Sequence, residues 1–239
     1  MQAPMSVTPE PMEPINIIIP HWGGSDGLNQ LALECLQSIR EHTTDYSLIW
    51  VDNGSPVKSG PLEEELQEHP GATLRNAENL GFVKAVNQGI RYSTAPFVVI
   101  MNNDTMAVPR WAEKLQGALV GRAGISGPRT DAQESWQGRW ARSNGRNVTL
   151  KPGAMLAFFC AMFRREVFEK VGYLDESYGA GLGDDDEFCR RAQRAKFDLV
   201  LVRDLLIPHR HRSTFKTIYT PGQIDAMQTS ALQRFHSTG

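Results

Sequence analysis

Short β-branched runs alternate with amphipathic segments through the first half of the chain, and this alternation constrains the fold more than any other feature. The strand-like runs lie at 15–19, 47–51, 72–75 and 97–101. The segments between them, at 28–42, 61–69 and 82–93, have the composition and spacing of helices. Strands that alternate with helices up to about residue 120 predict βαβ units and a parallel sheet.

Polar, turn-forming residues follow three of these strands. They are the runs from His21 to Gly24, from Asp52 to Ser55 and from Asn102 to Asp104. In open α/β sheets, ligands bind in the crevice beyond the carboxyl ends of the strands. We therefore expect the three runs to converge on one pocket.

The second half of the chain is less regular. We predict a strand over 155–163, a short helix ending over 168–172, a helix over 188–195 after the acidic run 184–187, and a strand over 199–202. Residues 1–14 contain four of the chain's 14 prolines and predict a disordered leader. No repeat and no linker forces a further boundary, so we expect one domain over 15–239.

Composition excludes several classes of protein. The net charge of −2 over 239 residues argues against a nucleic-acid binder held by bulk positive charge. No signal peptide is recognisable, and the apolar runs are too short for a transmembrane segment. Three widely spaced cysteines favour buried thiols in a reducing compartment. We expect a cytoplasmic protein that can contact the inner face of the membrane peripherally.

Two acidic segments are candidates for chemistry. Asp104 follows a buried strand, where a carboxylate can hold a hard divalent ion, although Asn and Asp also form ordinary turns there. The run 184–187 could supply a general base whose pKa is raised by its like-charged neighbours. It could equally be a solvated helix N-terminus.

A histidine-rich basic stretch lies further along the chain. His209 and His211 suit a transition metal, and the cations beside them suit phosphate; these are Arg210, Arg212 and Lys216. A basic surface loop is the alternative. Trp136 and Trp140, four residues apart, could bind a glycan or lipid-linked acceptor or form a core-packing pair.

Taken together, these segments resemble the glycosyltransferases of family two with the GT-A fold, most closely the bacterial rhamnosyltransferase-like branch. The resemblance covers about residues 15–215 and follows the order of the family's motifs. The matching segments are 17–22, 51–55, 79–90, 101–105, 164–168, 172–176 and 183–191. It implies an α/β fold with a Rossmann-like, mostly parallel central sheet flanked by helices, with a nucleotide-sugar half at 15–127 and an acceptor half at 128–239.

The resemblance implies an inverting transfer from a nucleotide-diphosphate sugar to an acceptor hydroxyl, assisted by Mn²⁺ or Mg²⁺. The reaction would serve bacterial-type polysaccharide or glycan synthesis, with a glycan, lipid-linked or protein acceptor. Asp52 would bind the nucleobase, and the remaining nucleotide contacts would come from His21, Trp22, Asn79, Gly81, Asn102 and Asn103. Asp104 and His209 would ligate the metal, with His211 competing for the second role.

The same resemblance assigns the catalytic residues. Asp185 would be the general base, with Asp184 or Asp186 near the sugar or the acceptor. The diphosphate contacts would come from Arg210, His211, Arg212 and Lys216. Two positions depart from the family pattern: Asn102 replaces the first acid of the D-x-D element, and Asp184 replaces a glutamate.

Two other functions are compatible with such a sheet. A nucleotidyltransferase that forms nucleotide sugars usually has a basic, glycine-rich loop after its first strand, whereas residues 21–26 contain no Lys or Arg. A non-catalytic module that binds a sugar or nucleotide would not need Asp104, Asp185 and His209 together.

Overall fold

The structure, a computed structural model, describes residues 12–132, 136–138, 145–210, 217–218 and 220–237. Its centre is a mixed sheet with the strand order β3-β2-β1-β4-β7-β5-β8-β6. The strands are β1 (Ile15–His21), β2 (Tyr46–Asp52), β3 (Gly71–Arg75), β4 (Phe97–Met101), β5 (Ala123–Thr130), β6 (Val148–Thr149), β7 (Cys160–Arg164) and β8 (Asp198–Ile207).

The first four strands in the chain are parallel, as the sequence predicts. β1 pairs with both β2 and β4, and β2 pairs with β3. β7 then runs antiparallel between β4 and β5, and β8 is parallel to β5. The sheet formed by the described residues is therefore mostly parallel, with β7 antiparallel between its two parallel parts and β6 antiparallel to β8 at the edge.

Helices cover both faces of this sheet. They are α1 (Asp26–His42), α2 (Gly60–Gln67), α3 (Phe82–Tyr92), α4 (Trp111–Gly117), α5 (Arg165–Val171), α6 (Asp184–Arg194) and α7 (Pro221–Ser237). A short 3-10 turn lies at Glu176–Tyr178. Among the helices in the described residues, none is both long enough and apolar enough to cross a membrane.

Alternate residues of β1 face opposite sides of the sheet, as expected for a strand. Ile17 and Ile19 belong to one apolar cluster, with residues of α1 and α4. Ile18 belongs to the other, with residues of α3, α5 and α6. Gly89 of α3 lies against Ile18, and a Cβ there would come within 2.3 Å of that side chain, so α3 can pack closely on β1.

The structure departs from the predicted elements in the second half. β5 contains Gly124, Gly127 and Pro128, residues that weaken a strand signal, and its register shifts between Pro128 and Arg129. The strand predicted over 155–163 begins only at Cys160. The helix predicted from Phe188 begins at Asp184, so the acidic run forms its first turn.

Most of the predicted leader, residues 1–11, lies outside the described residues. The last part of that segment makes contacts with the rest of the protein. Met12 packs against the core, and Glu13 forms two backbone hydrogen bonds with the side chain of Gln116.

Candidate active site

The ends of β1, β2 and β4 meet at one edge of the sheet, as predicted. His21, the last residue of β1, accepts a hydrogen bond from the Asn53 backbone N–H through its carbonyl oxygen (2.7 Å). The Asn103 amide nitrogen lies 2.7 Å from His21 Nδ1. The polar runs that follow these three strands therefore form a single cluster.

His21 is buried and has a structural part in this cluster. Its ring packs on Trp50 with 4.7 Å between centroids, and Nε2 lies 3.0 Å from Asn29 Oδ1. Burial lowers its pKa to about 4, against the opposing effect of the hydrogen bond to Asn29 Oδ1, so the ring is neutral at pH 7. The Asn103 amide donates to Nδ1, which leaves the ring proton on Nε2 facing Asn29. The neighbouring Trp22 is half-buried, and its ring packs over Gly24.

Asp52 closes β2 with a buried carboxylate that two cations approach. Oδ1 accepts a hydrogen bond from the Ser55 backbone N–H (3.0 Å), and Oδ2 lies 2.8 Å from Arg75 Nη1 and 3.2 Å from Lys58 Nζ. Burial alone would raise the pKa of this carboxyl group, but the hydrogen bonds from Ser55 and Lys58 outweigh it and hold the pKa below its ordinary value. Asp52 is therefore ionised at neutral pH.

Asn53 shapes the turn that leads into α3. Its amide nitrogen donates to Asn79 Oδ1 (2.8 Å) and to the Gly81 carbonyl (3.2 Å), and its oxygen accepts from the Leu80 backbone N–H (3.0 Å). Asn79 also accepts from the Gly81 N–H (2.9 Å) and is itself exposed. Gly81 has φ +87°, and a Cβ there would lie 2.6 Å from the Gly179 carbonyl oxygen, so only glycine fits this turn.

A second polar cluster lies where the chain returns after β8. Thr105 and His209 form an isolated antiparallel bridge, which brings the histidine to the end of β4. His209 Nε2 lies 3.1 Å from Asp104 Oδ1 and 3.3 Å from the Asn102 amide nitrogen. Both Asp104 and His209 are buried. The two residues that the resemblance assigns to the metal are thus adjacent in the structure.

Two neighbouring residues orient His209. Its ring stacks on Phe159 with 4.8 Å between centroids and 10° between planes. Its backbone N–H donates to Asp131 Oδ1 (2.9 Å). The stack and the backbone hydrogen bond hold the histidine with Nε2 facing Asp104, so the imidazole and the carboxylate could bind one cation together.

The donor set of this cluster fits a divalent ion held together with a ligand's phosphates. One carboxylate oxygen and one imidazole nitrogen suit Mn²⁺, and Mg²⁺ is commonly held by one or two carboxylates plus phosphate oxygens. In the described part of the chain, no group of three or more His, Cys, Asp or Glu residues could hold a metal by itself. Asp104 and His209 would therefore form a partial site that a bound diphosphate completes.

The acidic run opens α6 and is partly buried. Asp184 is 4 % exposed, and its Oδ2 is buried without a hydrogen-bond partner. Burial raises its pKa to about 6. Burial and the neighbouring Asp184 carboxylate raise the pKa of Asp185 well above its ordinary value, although Asp185 is only half-buried as a residue. The pKa of Asp186 is also raised by burial, against the opposing effect of Arg190.

The segment before β7 connects the end of β4, beside Asp104 and His209, with helix α6. The Phe159 carbonyl accepts from the Asn102 N–H (2.8 Å) beside the histidine. Phe158 packs edge-on against Phe188 of α6, and the Leu156 N–H lies 3.4 Å from Cys189 Sγ. Helix α6 and the end of β4 are thus both held by residues of the segment 156–159.

The remaining residues singled out from the sequence are described only in part. His211, Arg212 and Lys216 lie outside the described residues, as does Trp140. Arg210 is exposed, and its backbone N–H donates to the Asp104 carbonyl (3.0 Å). Trp136 packs against the core, and its Nε1–H donates to Met155 Sδ (3.0 Å).

Three residues near these clusters had not been singled out from the sequence. Asp131 and Phe159 orient His209, and no local sequence pattern marks either of them. Asn87 is different, since it occupies a core-facing position of the apolar stripe of α3, with Val83 and Val86. A fully buried amide at such a position is a recognisable signal for a hydrogen-bonded tie.

Comparison with known proteins defines the class. Residues 17–172, more than half of the chain, match the sequence profile of Glycosyl transferase family 2. The chain belongs to this family. The family assignment made from the sequence motifs is therefore confirmed.

The curated relatives cover part of the chain. The undecaprenyl-phosphate 4-deoxy-4-formamido-L-arabinose transferase of Edwardsiella ictaluri is 26 % identical over 51 % of this chain and 39 % of its own length. The enzyme of the same name from Serratia proteamaculans is 26 % identical over 53 % of this chain and 40 % of its own. The matches thus span about two fifths of these relatives.

Solved structures confirm the GT-A fold. GalNAc-T7 with UDP, GalNAc and Mn²⁺ has a TM-score of 0.70 at 14 % identity, over 84 % of this chain and 44 % of that one. The mannosyltransferase PcManGT from Pyrobaculum calidifontis, in complex with GDP-Man and Mn²⁺, has a TM-score of 0.66 at 16 % identity, over 87 % and 61 %. At these identities the likeness concerns the fold.

Proposed function

We propose that the chain is an inverting, metal-dependent glycosyltransferase that transfers a sugar from a nucleotide-diphosphate sugar to an acceptor hydroxyl. The observation that carries this proposal is the approach of His209 Nε2 to Asp104 Oδ1, 3.1 Å apart at the carboxyl end of β4. A pair of buried metal-binding groups at this place in a family 2 glycosyltransferase is suited to a cation that holds a diphosphate. The Mn²⁺ in both structural relatives supports the choice of metal.

The donor nucleotide would lie along the ends of β1, β2 and β4. Asp52, ionised and held by Ser55, can accept a hydrogen bond from a nucleobase N–H. Trp22 offers a half-buried aromatic face, and Asn79 offers an exposed amide at the rim. The side chains of His21 and Asn103 are buried and hydrogen-bonded to each other, so they would support the nucleotide-binding surface without contacting the nucleotide extensively.

The second cluster would hold the diphosphate. Asp104 and His209 would be the protein ligands of Mn²⁺ or Mg²⁺, with Asn102 close to the ribose. When bound, the metal neutralises charge that develops on the departing nucleoside diphosphate. Arg210 and, outside the described residues, His211, Arg212 and Lys216 are proposed to add positive charge to the diphosphate.

The half-buried Asp185 is proposed as the general base. Its raised pKa makes it a stronger base than an ordinary aspartate. It would take the proton of the acceptor hydroxyl while that oxygen bonds to the anomeric carbon. The bond from that carbon to the phosphate oxygen breaks at the same time, and the electron pair leaves with the nucleoside diphosphate. Attack from the opposite face inverts the anomeric configuration.

Asp184 and Asp186 would contact the donor sugar or the acceptor. Asp184 suits this part because its Oδ2 is buried without a hydrogen-bond partner and could bond to a sugar hydroxyl. A sugar hydroxyl there would supply the bond that the protein leaves unmade.

The acceptor is proposed to be a glycan, a protein or a lipid-linked molecule, within polysaccharide or glycan synthesis. The names of the curated relatives include undecaprenyl phosphate, which supports including a polyprenyl phosphate among the acceptors tested. Such a substrate would bring the enzyme to the inner face of the membrane from the cytoplasm by peripheral contact.

The test is turnover of UDP-, GDP- and dTDP-linked hexoses with Mn²⁺, with and without EDTA, against glycan, peptide and polyprenyl phosphate acceptors. We expect release of nucleoside diphosphate from at least one donor, abolished by EDTA. Asp185→Asn should lower kcat by about 10²–10⁴-fold, the usual contribution of a general base. Glu113→Gln, which changes an exposed acid in the first turn of α4, is the matched control and should leave kcat unchanged.

Two results would overturn the proposal. Pyrophosphate released from a nucleoside triphosphate and a sugar phosphate would identify a nucleotidyltransferase instead. Binding of nucleotide sugars without turnover across the whole panel would identify a binding module.

A further inference from the structure

Helix α3 connects the proposed nucleotide site with the segment that leads to the acidic run. Its N-terminal turn follows Asn79 and Gly81, which Asn53 holds at the end of β2. From the same helix, the Val83 N–H donates to the Gly179 carbonyl (3.1 Å). Gly179 lies five residues before Asp184, so α3 contacts both parts of the proposed site.

The side chain of Asn87 makes the largest set of hydrogen bonds between α3 and the segment that leads to Asp184. Asn87 is 0 % exposed. Its Oδ1 accepts a hydrogen bond from the Leu174 N–H (3.1 Å), and its Nδ2 donates to the Leu174 carbonyl (2.9 Å). Its amide nitrogen also lies 3.1 Å from Glu176 Oε1. Arg91, one turn further along α3, donates to the same Glu176 oxygen (3.1 Å).

On the basis of the function proposed above, we propose that Asn87 is a positioning residue that ties α3 to the segment 174–183 and thereby sets the place of the Asp184 and Asp185 carboxyl groups. The segment contains Gly179, Gly181 and Gly183, all with positive φ, and glycine restricts the backbone less than other residues do. A glycine-rich segment needs such an anchor if the helix after it is to begin at a fixed place. Asn87 provides this anchor from the helix that follows the proposed nucleotide site.

The structural half of the proposal is tested without substrate. Hydrogen exchange is measured on peptides covering 172–187 in the full chain and in Asn87→Ala. Loss of the two hydrogen bonds between Asn87 and the Leu174 backbone should speed exchange in this segment by about tenfold or more, because local opening of the segment becomes easier. Unchanged exchange would overturn the proposal.

Asn16→Ala is a matched control for the loss of a buried amide. Asn16 is buried at the start of β1, and its oxygen accepts from the Thr94 and Ala95 N–H groups, both at 2.8 Å. It lies at the opposite end of the strand from His21. This variant should be destabilised to a similar extent but should exchange at 172–187 as the unaltered protein does.

The catalytic half is tested with the donor that the unaltered protein turns over. Asn87→Ala should bind UDP, GDP or dTDP with Mn²⁺ within about twofold of normal, while kcat falls by about ten- to a hundredfold, since small displacements of catalytic groups have effects of this size. The acidic limb of its pH profile should move to lower pH, because water reaches the carboxyl groups. Asn16→Ala should keep kcat and the pH profile of the folded protein.

The outcomes separate the two proposals. If no donor is turned over by the unaltered protein, the proposed function fails, and the exchange result alone still decides whether Asn87 holds the segment. If Asn87→Ala keeps its kcat and pH profile while the unaltered enzyme is active, Asn87 has only a structural role and the positioning proposal fails.

Discussion

Replacing Asp184 with asparagine should make the protein more stable at neutral pH while impairing its reaction. In the folded protein, burial raises the pKa of Asp184 from its ordinary value of 3.8 to about 6. Each pKa unit corresponds to about 1.4 kcal/mol, so keeping this group ionised costs the folded state about 3 kcal/mol above pH 7. Asparagine removes the charge but keeps the shape.

The sign of the pH dependence follows from proton binding. Between pH 4 and pH 6 the folded protein binds more protons at Asp184 than the unfolded chain does, so this group lowers stability as the pH rises through that window. The stability of Asp184→Asn relative to the unaltered protein should therefore be near zero at pH 4. It should rise to roughly 2–3 kcal/mol in favour of the variant at pH 8.

Urea unfolding at pH 4.5, 6 and 8 measures this difference directly, with the midpoint compared at constant slope. Glu113→Gln, an exposed acid in the first turn of α4, is the control and should change stability by less than about 0.5 kcal/mol at each pH. A difference between Asp184→Asn and the unaltered protein that stays constant from pH 4.5 to pH 8 would refute the reasoning.

Two further predictions concern the turn before α3. Gly81→Ala should lower the free energy of unfolding by about 2 kcal/mol, because alanine is strained at the positive φ of this position and its Cβ would meet the Gly179 carbonyl. The loss should be seen as a lower Tm, and an unchanged Tm would contradict it. Asn53→Ala should cost about 1–3 kcal/mol by leaving the Leu80 N–H without its bond, and should weaken nucleotide binding by freeing Asn79. Calorimetric affinity for nucleoside diphosphates equal to that of the unaltered protein would contradict the second part.

The sequence predicted the first half of the fold well because its signals there are local. Strands β1, β2 and β4 are short apolar runs closed by polar residues, and the helices between the first four strands have a clear period. Position alone then predicted that His21, Asp52 and Asn103 would meet, since the carboxyl ends of parallel strands share one edge.

The second half could not be predicted as well, because tertiary contacts decide it. β5 is a strand despite two glycines and a proline, since its neighbours β7 and β8 pair with it. Residues 155–159 are apolar enough to suggest a strand but instead pack as a connection, with Phe159 against His209. The hydrophobic periodicity of a sequence does not reveal tertiary contacts of this kind.

The start of α6 shows how two interpretations of a sequence can both contribute. The acidic run is the first turn of a helix, as the alternative interpretation expected, but it is not fully solvated, since Asp184 is buried. Burial, rather than the like-charged neighbours invoked from the sequence, is the largest cause of the raised pKa of Asp184. The tie through Asn87 joins residues 87 positions apart, and so its partners cannot be read from local sequence.

The central claim is that Asp104 and His209 hold a divalent cation together with a nucleoside diphosphate. Isothermal titration of UDP, GDP and dTDP into the protein, with and without Mn²⁺, tests it most directly. We expect Mn²⁺ to raise the affinity for at least one of them by about tenfold or more, and Asp104→Asn to remove that gain. An affinity that is the same with and without Mn²⁺, or a gain that Asp104→Asn retains, would contradict the claim.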